Sequence, residues 1–147
     1  MIVRTQRGFT LIELVVVITI LGILAAFAVP RFISLESQAR TASVQALAGS
    51  LRSSAALARS MAMAQGNPAT VSMEGKSITL VNNYPAGTDA GTGGIVDTLA
   101  DYTGFTTSAA SGVVTFSKSG ASSNCNVTYT AAASGAAPAI TPTTTGC

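Results

Sequence analysis

The side chains able to do chemistry are few. The 147-residue chain has no histidine, two cysteines, six Asp or Glu and eight Lys or Arg. Without imidazole there is no Ser-His or Cys-His pair and no histidine metal site. Cys125 and Cys147 cannot build a four-ligand zinc site, but they suffice for one disulfide. Gly75-Lys76-Ser77 imitates the end of a phosphate-binding loop. Thr70 stands where the first glycine belongs, however, and a strand rather than a helix is predicted to follow. Asn126-Val127-Thr128 matches the minimal glycosylation sequon, a frequent chance match. Asp89, Asp97 and Asp101 near a glycine-rich loop have the oxygen chemistry for calcium, yet read more simply as a solvated acidic face. Met61 and Met63 read as core filler. No nucleophile–base or carboxylate pair can be picked out, so no enzyme, metal or cofactor is expected. Glu13 stands apart, as the one charge between Phe9 and Val29. A carboxylate at mid-bilayer costs roughly 2.5–3.5 kcal/mol on insertion scales and marks function by default. The plainer reading is a side chain that snorkels to the interface.

The elements that must carry these groups follow from composition. Charged residues are 10% of the chain, against about 25% in soluble domains. Hydrophobic residues are 48% and mean hydropathy is +0.47. That balance disfavours a disordered chain, a basic nucleic-acid binder and an ordinary cytosolic enzyme. The 21 residues Phe9–Val29 would make a helix about 32 Å long, close to the hydrocarbon thickness of a bilayer. Beyond Pro30 the helical pattern continues with Val44, Leu47, Leu51, Ala55, Ala58 and Ala62 on one stripe and Arg40, Arg52 and Arg59 off it. Gly66-Asn67-Pro68 stops it. A rod from Phe9 to Ala64 would be about 84 Å long, so its first half must find lipid or copies of itself. Gly22 and Pro30 punctuate the rod, and Pro30 predicts a kink or weak point because it has no N–H for Ala26.

The head, residues 65–147, is polar and nearly uncharged. Gly66–Cys147 holds 24 Ser or Thr, 11 Gly and six charges. Strands are predicted at Thr70–Met73 and Ser77–Val81 as a hairpin, at Val113–Ser117, at Cys125–Thr130 and, weakly, at Ala139–Thr141. Asn82–Pro85 and Gly87–Gly94 read as one long loop, and Ile95–Tyr102 as a short helix. The fold class expected is therefore α+β: a long N-terminal helix, membrane-spanning then amphipathic, packed on a small sheet of four or so antiparallel strands.

At Arg7-Gly8-Phe9-Thr10-Leu11-Ile12-Glu13-Leu14 the chain resembles the leader junction of type IV pilins and pseudopilins. The resemblance is specific through Pro30 and fades by Ala64. In the head, Asn83-Tyr84-Pro85, Cys125–Tyr129 and the terminal Gly146-Cys147 are similar to mannose-sensitive haemagglutinin pilins. Asn83 replaces a glycine there, and Asn tolerates a left-handed backbone. The resemblance implies the pilin fold and four segments: leader 1–8, membrane and assembly helix 9–30, amphipathic helix 31–64 and head 65–147. It implies that a prepilin peptidase cuts between Gly8 and Phe9 and methylates the Phe9 amine. Subunits are then stored in the inner membrane, and an assembly machine there extracts them into a helical homopolymer outside the cell. Glu13 takes the family's acidic position, which pairs with the Phe9 amine of a neighbour. A host or surface receptor is a further expected partner. A type II secretion pseudopilin and a monomeric membrane-anchored binding module are the alternatives.

Charge supports these expectations. Arg4 and Arg7 precede the span, which keeps that end in the cytoplasm and sends the head outward. There the two cysteines meet an oxidising compartment, and a Cys125–Cys147 bridge is expected. Removing residues 1–8 leaves six basic and six acidic side chains. The helix beyond Pro30 then carries +3 and the head −2, so stem and head could attract between subunits, or the charges could be solvated scatter.

Overall fold

The structure is a computed structural model that describes residues 8–147. The expected leader residues Met1–Arg7, with Arg4 and Arg7, lie outside the described residues. The chain divides into a unit ending at Ser37 and a unit Gln38–Cys147.

Helix α1 spans Leu11–Ala64 and runs unbroken through Gly22 and Pro30. In the first unit its large apolar side chains, including Leu11, Ile12, Leu14, Ile18, Leu21 and Phe27, are exposed. This stretch is long and apolar enough to cross a membrane by length and composition. In water these side chains would forfeit the stabilisation that burial gives, roughly 1.5–3 kcal/mol for each large one.

In the second unit α1 turns the expected stripe inward. Val44, Leu47, Leu51, Ala55, Ala58 and Ala62 are all buried, joined by Ala48. Small alanines toward the C-terminal end let the strands approach closely. Strands β1 (Thr70–Met73), β2 (Lys76–Val81) and β3 (Tyr84–Pro85) form one antiparallel sheet. Strands β4 (Phe105–Ala110), β5 (Val113–Lys118), β6 (Asn126–Thr130) and β7 (Ala139–Thr143) form a second. Both are meanders, with sequence neighbours paired in order. Alternation decides which face is inward: Val114 and Phe116 on β5 and Val127 and Tyr129 on β6 are buried with Leu47 and Leu51. A smaller cluster joins Ala58 and Ala62 to Val71, Met73 and Ile78. Tyr129 bridges the sheets, donating its hydroxyl to the Pro85 carbonyl at 2.7 Å. Burial, with Tyr84 nearby, pushes that phenol far above its ordinary range.

The structure corrects five expectations. Among the described residues, seven strands in two sheets replace the single sheet of four or so. Strand β4, Phe-Thr-Thr-Ser-Ala-Ala, carries a weak strand signal and forms by pairing with β5 throughout its length. The Asn82–Pro85 loop is a tight hairpin, because Asn82 and Asn83 both adopt positive φ (52° and 67°), the backbone a two-residue turn between twisted strands requires. The helix expected at Ile95–Tyr102 is one 3-10 turn, Ile95–Thr98, which leaves helical geometry at the extended Leu99.

The fifth correction is Asp97, which is buried rather than solvated. Its carboxylate accepts the Gly91 N–H at 3.0 Å and the Gly93 N–H at 2.8 Å, and faces Lys76 Nζ at 3.5 Å. It therefore folds the glycine-rich loop around itself. Burial alone would raise its pKa, but the two N–H groups and Lys76 outweigh burial and hold it below the usual carboxylate value. The sign follows. A depressed folded pKa contributes stability that is present above the unfolded value, about 3.9, and lost as pH falls through the folded one. Asp97→Asn turns a buried N–H₂ toward the part-buried Gly91 and Gly93 N–H donors and should cost about 1–3 kcal/mol at pH 7. Thermal melts at pH 7 and pH 3 should show wild type losing more stability than the variant. Equal losses would remove Asp97 as the acid-sensitive group.

The arginines also differ from expectation. Arg40 donates to the Gly120 carbonyl at 2.7 Å and Arg52 to the Ile140 carbonyl at 3.2 Å. Arg59 donates to the Tyr84 hydroxyl at 2.6 Å, with its guanidinium over that ring. They are neither solvated scatter nor wholly reserved for neighbours: they fasten helix to head.

Candidate assembly site

The N-terminal end of α1 is built by two residues. Thr10 is the residue before the first helical position, and Glu13 lies three residues on. The Thr10 N–H donates to Glu13 Oε2 at 2.9 Å and the Thr10 hydroxyl donates to the same oxygen at 2.8 Å. The Glu13 N–H reaches back to Thr10 Oγ1 at 3.3 Å. This reciprocal pattern is a capping box, which satisfies N–H groups that a helix start leaves without partners. It also places a carboxylate at the positive end of the helix dipole. Thr-x-x-Glu before an apolar run is a legible signature of this cap, and the reading of Glu13 above overlooked it.

The cap leaves Glu13 capacity to spare, since an ionised carboxylate has about four acceptor sites. Phe9, Ile12, Glu13, Val16 and Val17 line one shallow apolar groove. Three- and four-residue spacing puts Glu13, Val16 and Val17 on one helix face, and Phe9, just before the helix, lines the same groove. Phe9 is 90% exposed. Gly8 and Phe9 precede the helix and belong to neither helix nor strand.

The head is closed at the other end of the chain. Cys125 and Cys147 are joined by a disulfide. Cys125 is buried in the main core cluster, with Cys147 packed against it. The enclosed segment is largely the β6–β7 hairpin. Gly146 adds two ties: its N–H donates to the Asn124 carbonyl at 3.0 Å, and its carbonyl accepts the Ser122 hydroxyl at 2.8 Å. A Cβ on Gly146 would sit 2.1 Å from Ser122 Oγ and 3.2 Å from the Asn124 carbonyl carbon, so Ser122 would have to turn away and give up its bond.

The remaining candidate residues serve the fold. Asp89 accepts the Ala90 N–H and the Thr107 hydroxyl, Asp97 holds its loop, and Asp101 caps a turn at Thr103. Among the described residues no group of three or more His, Cys, Asp or Glu comes together as a metal site. Gly75 is a hairpin-turn residue at positive φ, and Lys76 opens β2.

Comparison with known proteins places this arrangement. A prokaryotic N-terminal methylation motif matches residues 3–29, the stretch containing Gly8, Phe9 and Glu13. The family described as type II transport protein GspH matches residues 47–146. The chain belongs to this pilin-like family. Over its N-terminal part, this GspH-family chain is also similar to type IV pilins. It is 58% identical over 52 residues to the type IV narrow pilus major component PilA5 of Thermus thermophilus, covering 35% of this chain and 45% of that protein. It is 54% identical over 35 residues to the type IV major pilin protein PilA of Myxococcus xanthus, covering 24% and 16%. It is 60% identical over 37 residues to type II secretion system core protein G of Pseudomonas aeruginosa, covering 25% and 26%. The GspH-family chain thus spans less than half the length of each of these relatives. No solved structure matches it.

Proposed function

We propose that this chain is the major subunit of a type IV pilus, polymerising through its N-terminal helix into a surface filament for adhesion or motility. The observation that carries this reading is the first half of α1, an exposed apolar helix opened by a capped carboxylate and lying largely within an N-terminal methylation motif at residues 3–29. Such a surface is unstable in water and satisfied by lipid or by copies of itself. A prepilin peptidase cuts between Gly8 and Phe9 and methylates Phe9. The subunit waits in the inner membrane, and the pilus assembly machinery draws it out. The new Phe9 amine is largely cationic at neutral pH. Glu13 takes it from a neighbour, since pairing offsets much of the cost of burying either charge. Gly22 and Pro30 form the weak stretch of the helix on leaving the bilayer, where backbone freed from lipid regains water as a partner. The role is structural rather than enzymatic, and a host or surface receptor is the remaining partner. The likeness of the head to mannose-sensitive haemagglutinin pilins belongs to this proposal.

One observation favours a second reading: the head matches the type II transport family over residues 47–146, which fits a pseudopilin of a type II secretion system. A membrane-anchored monomeric binding module is a third. Shearing cells and weighing the released subunit separates them. The pilus reading expects extracellular filaments whose subunit begins at a methylated Phe9 and is two hydrogens lighter for the disulfide. Subunit confined to the cell envelope, without surface filaments, would overturn it.

Gly8→Val tests the processing step. A branched side chain before the cut should leave an uncleaved precursor in the membrane, with Arg4 and Arg7 opposing extraction. Filaments of normal yield assembled from the uncut variant would contradict this.

A further inference from the structure

The second half of α1 carries a groove on each flank of its buried stripe, and the two grooves have opposite charge. Successive residues project about 100° apart around a helix, so Arg52 and Arg59 fall to one side of Leu51 and Leu57 and Met61 to the other. On the Leu57 side, Leu57, Met61, Met73 and Leu99 combine with the exposed Glu74 and Asp101 to line a groove of about 500 Å³. No basic residue lines it. On the arginine side, Arg52, Arg59, Met63, Tyr84, Pro138 and Ile140 line one of about 360 Å³, and no acid lines it. Leu57 and Met63 are more than half exposed.

The charges are fixed in place. Arg52 and Arg59 each spend one of five N–H donors on the head, which orients the guanidinium and leaves donors for another acceptor. Asp101 is held by the side chain and N–H of Thr103, which keep its carboxyl below the ordinary value. Glu74 stands at the β1–β2 turn at positive φ.

We propose that these flanks are the two halves of one subunit–subunit contact, with Glu74 and Asp101 of one copy facing Arg52 and Arg59 of the next and covering Leu57 and Met63. The occupant is a second copy because each groove is the electrostatic complement of the other, and both lie on the same chain. A two-fold contact made through either flank alone would set like charge against like. A head-to-tail contact sets acid against arginine, leaves the same two surfaces free at its ends and so propagates. The charges supply register and the apolar floors supply the buried area. The contact rests on the filament reading given above.

Two experiments on intact pili test it. Reversing the bases (Arg52→Glu with Arg59→Glu) or the acids (Glu74→Arg with Asp101→Arg) sets like charges face to face and should lower sheared filament yield roughly tenfold or more. All four reversals together should restore most of the yield. Loss of yield without that recovery, or normal yield from the acid reversal alone, overturns the contact. Because Arg52→Glu and Arg59→Glu also break the bonds to the Ile140 carbonyl and the Tyr84 hydroxyl, a second test leaves every charge in place. Ser60→Cys and Ser72→Cys, one on each groove, are combined in one chain and treated with a short bismaleimide. A ladder of covalent oligomers on denaturing gels is expected. Dimers alone, or no product, overturn the proposal. If wild-type cells shed no filaments, it is the filament reading that fails.

Discussion

Glu13→Val is expected to yield a cleaved, membrane-held subunit and few or no filaments. Two losses combine. In the single chain the substitution removes the carboxylate that accepts the Thr10 N–H and hydroxyl, the reciprocal half of the capping box, while the bond from the residue 13 N–H to Thr10 Oγ1 stays. In the proposed filament, if Glu13 takes the Phe9 amine of a neighbour, the substitution would leave that amine buried without a partner, and breaking one side of a buried pair costs about 3–5 kcal/mol. Membrane insertion should become easier by up to a few kcal/mol, because the span loses its charge. The variant therefore separates insertion from assembly. Companion substitutions separate the two losses. Glu13→Gln keeps an acceptor for the cap but no charge, and should still assemble poorly. Thr10→Ala breaks the cap but keeps the charge, and should assemble at moderately reduced yield. The measurement is sheared filament against processed subunit for each variant. Wild-type yield from Glu13→Val would show that assembly rests on apolar packing alone. Full yield from Glu13→Gln with poor yield from Thr10→Ala would assign the residue to the cap.

Cys147→Ser should destabilise the head by about 3 kcal/mol, the chain-entropy contribution expected for a loop of this size. Cys147 is the better site because Cys125 is fully buried, where a serine hydroxyl would add its own desolvation penalty. Domains this size hold only about 5–15 kcal/mol, so the bridge is a large share of net stability. The melting temperature should fall by on the order of 10 °C. The loss should be uneven. Among the described residues strand β7 pairs with β6 alone, and beyond it the disulfide and the Gly146 contacts hold the C-terminal segment. Amide exchange in Ala139–Thr143 should therefore accelerate before exchange in β5. Unchanged melting in Cys147→Ser, or free thiols in the unreduced wild type, would remove the bridge from the account.

What the sequence determined by itself is what local pattern can encode. The apolar run Phe9–Val29 demands burial in lipid or protein wherever it stands. The stripe Val44–Ala62 needs only helical periodicity to define an inward face, and every residue assigned to it is buried. The hairpin Thr70–Val81 and the strands at Val113 and Asn126 follow from alternation and from the turn at Glu74-Gly75, both at positive φ. The Thr10–Glu13 cap was equally local and legible. Tertiary structure decided what depends on distant partners. Asp97 is buried because its own glycine-rich loop, at Gly91 and Gly93, closes over it while Lys76, 21 residues away, comes alongside. Strand β4 exists because β5 lies alongside. The helix arginines reach carbonyls at Gly120 and Ile140, 80 and 88 residues away, which a charge count along the stem cannot reveal. The physical reason is common to all three. A periodic apolar pattern states its own need for burial, whereas a polar group's fate depends on which donors and acceptors the folded chain brings within hydrogen-bond reach.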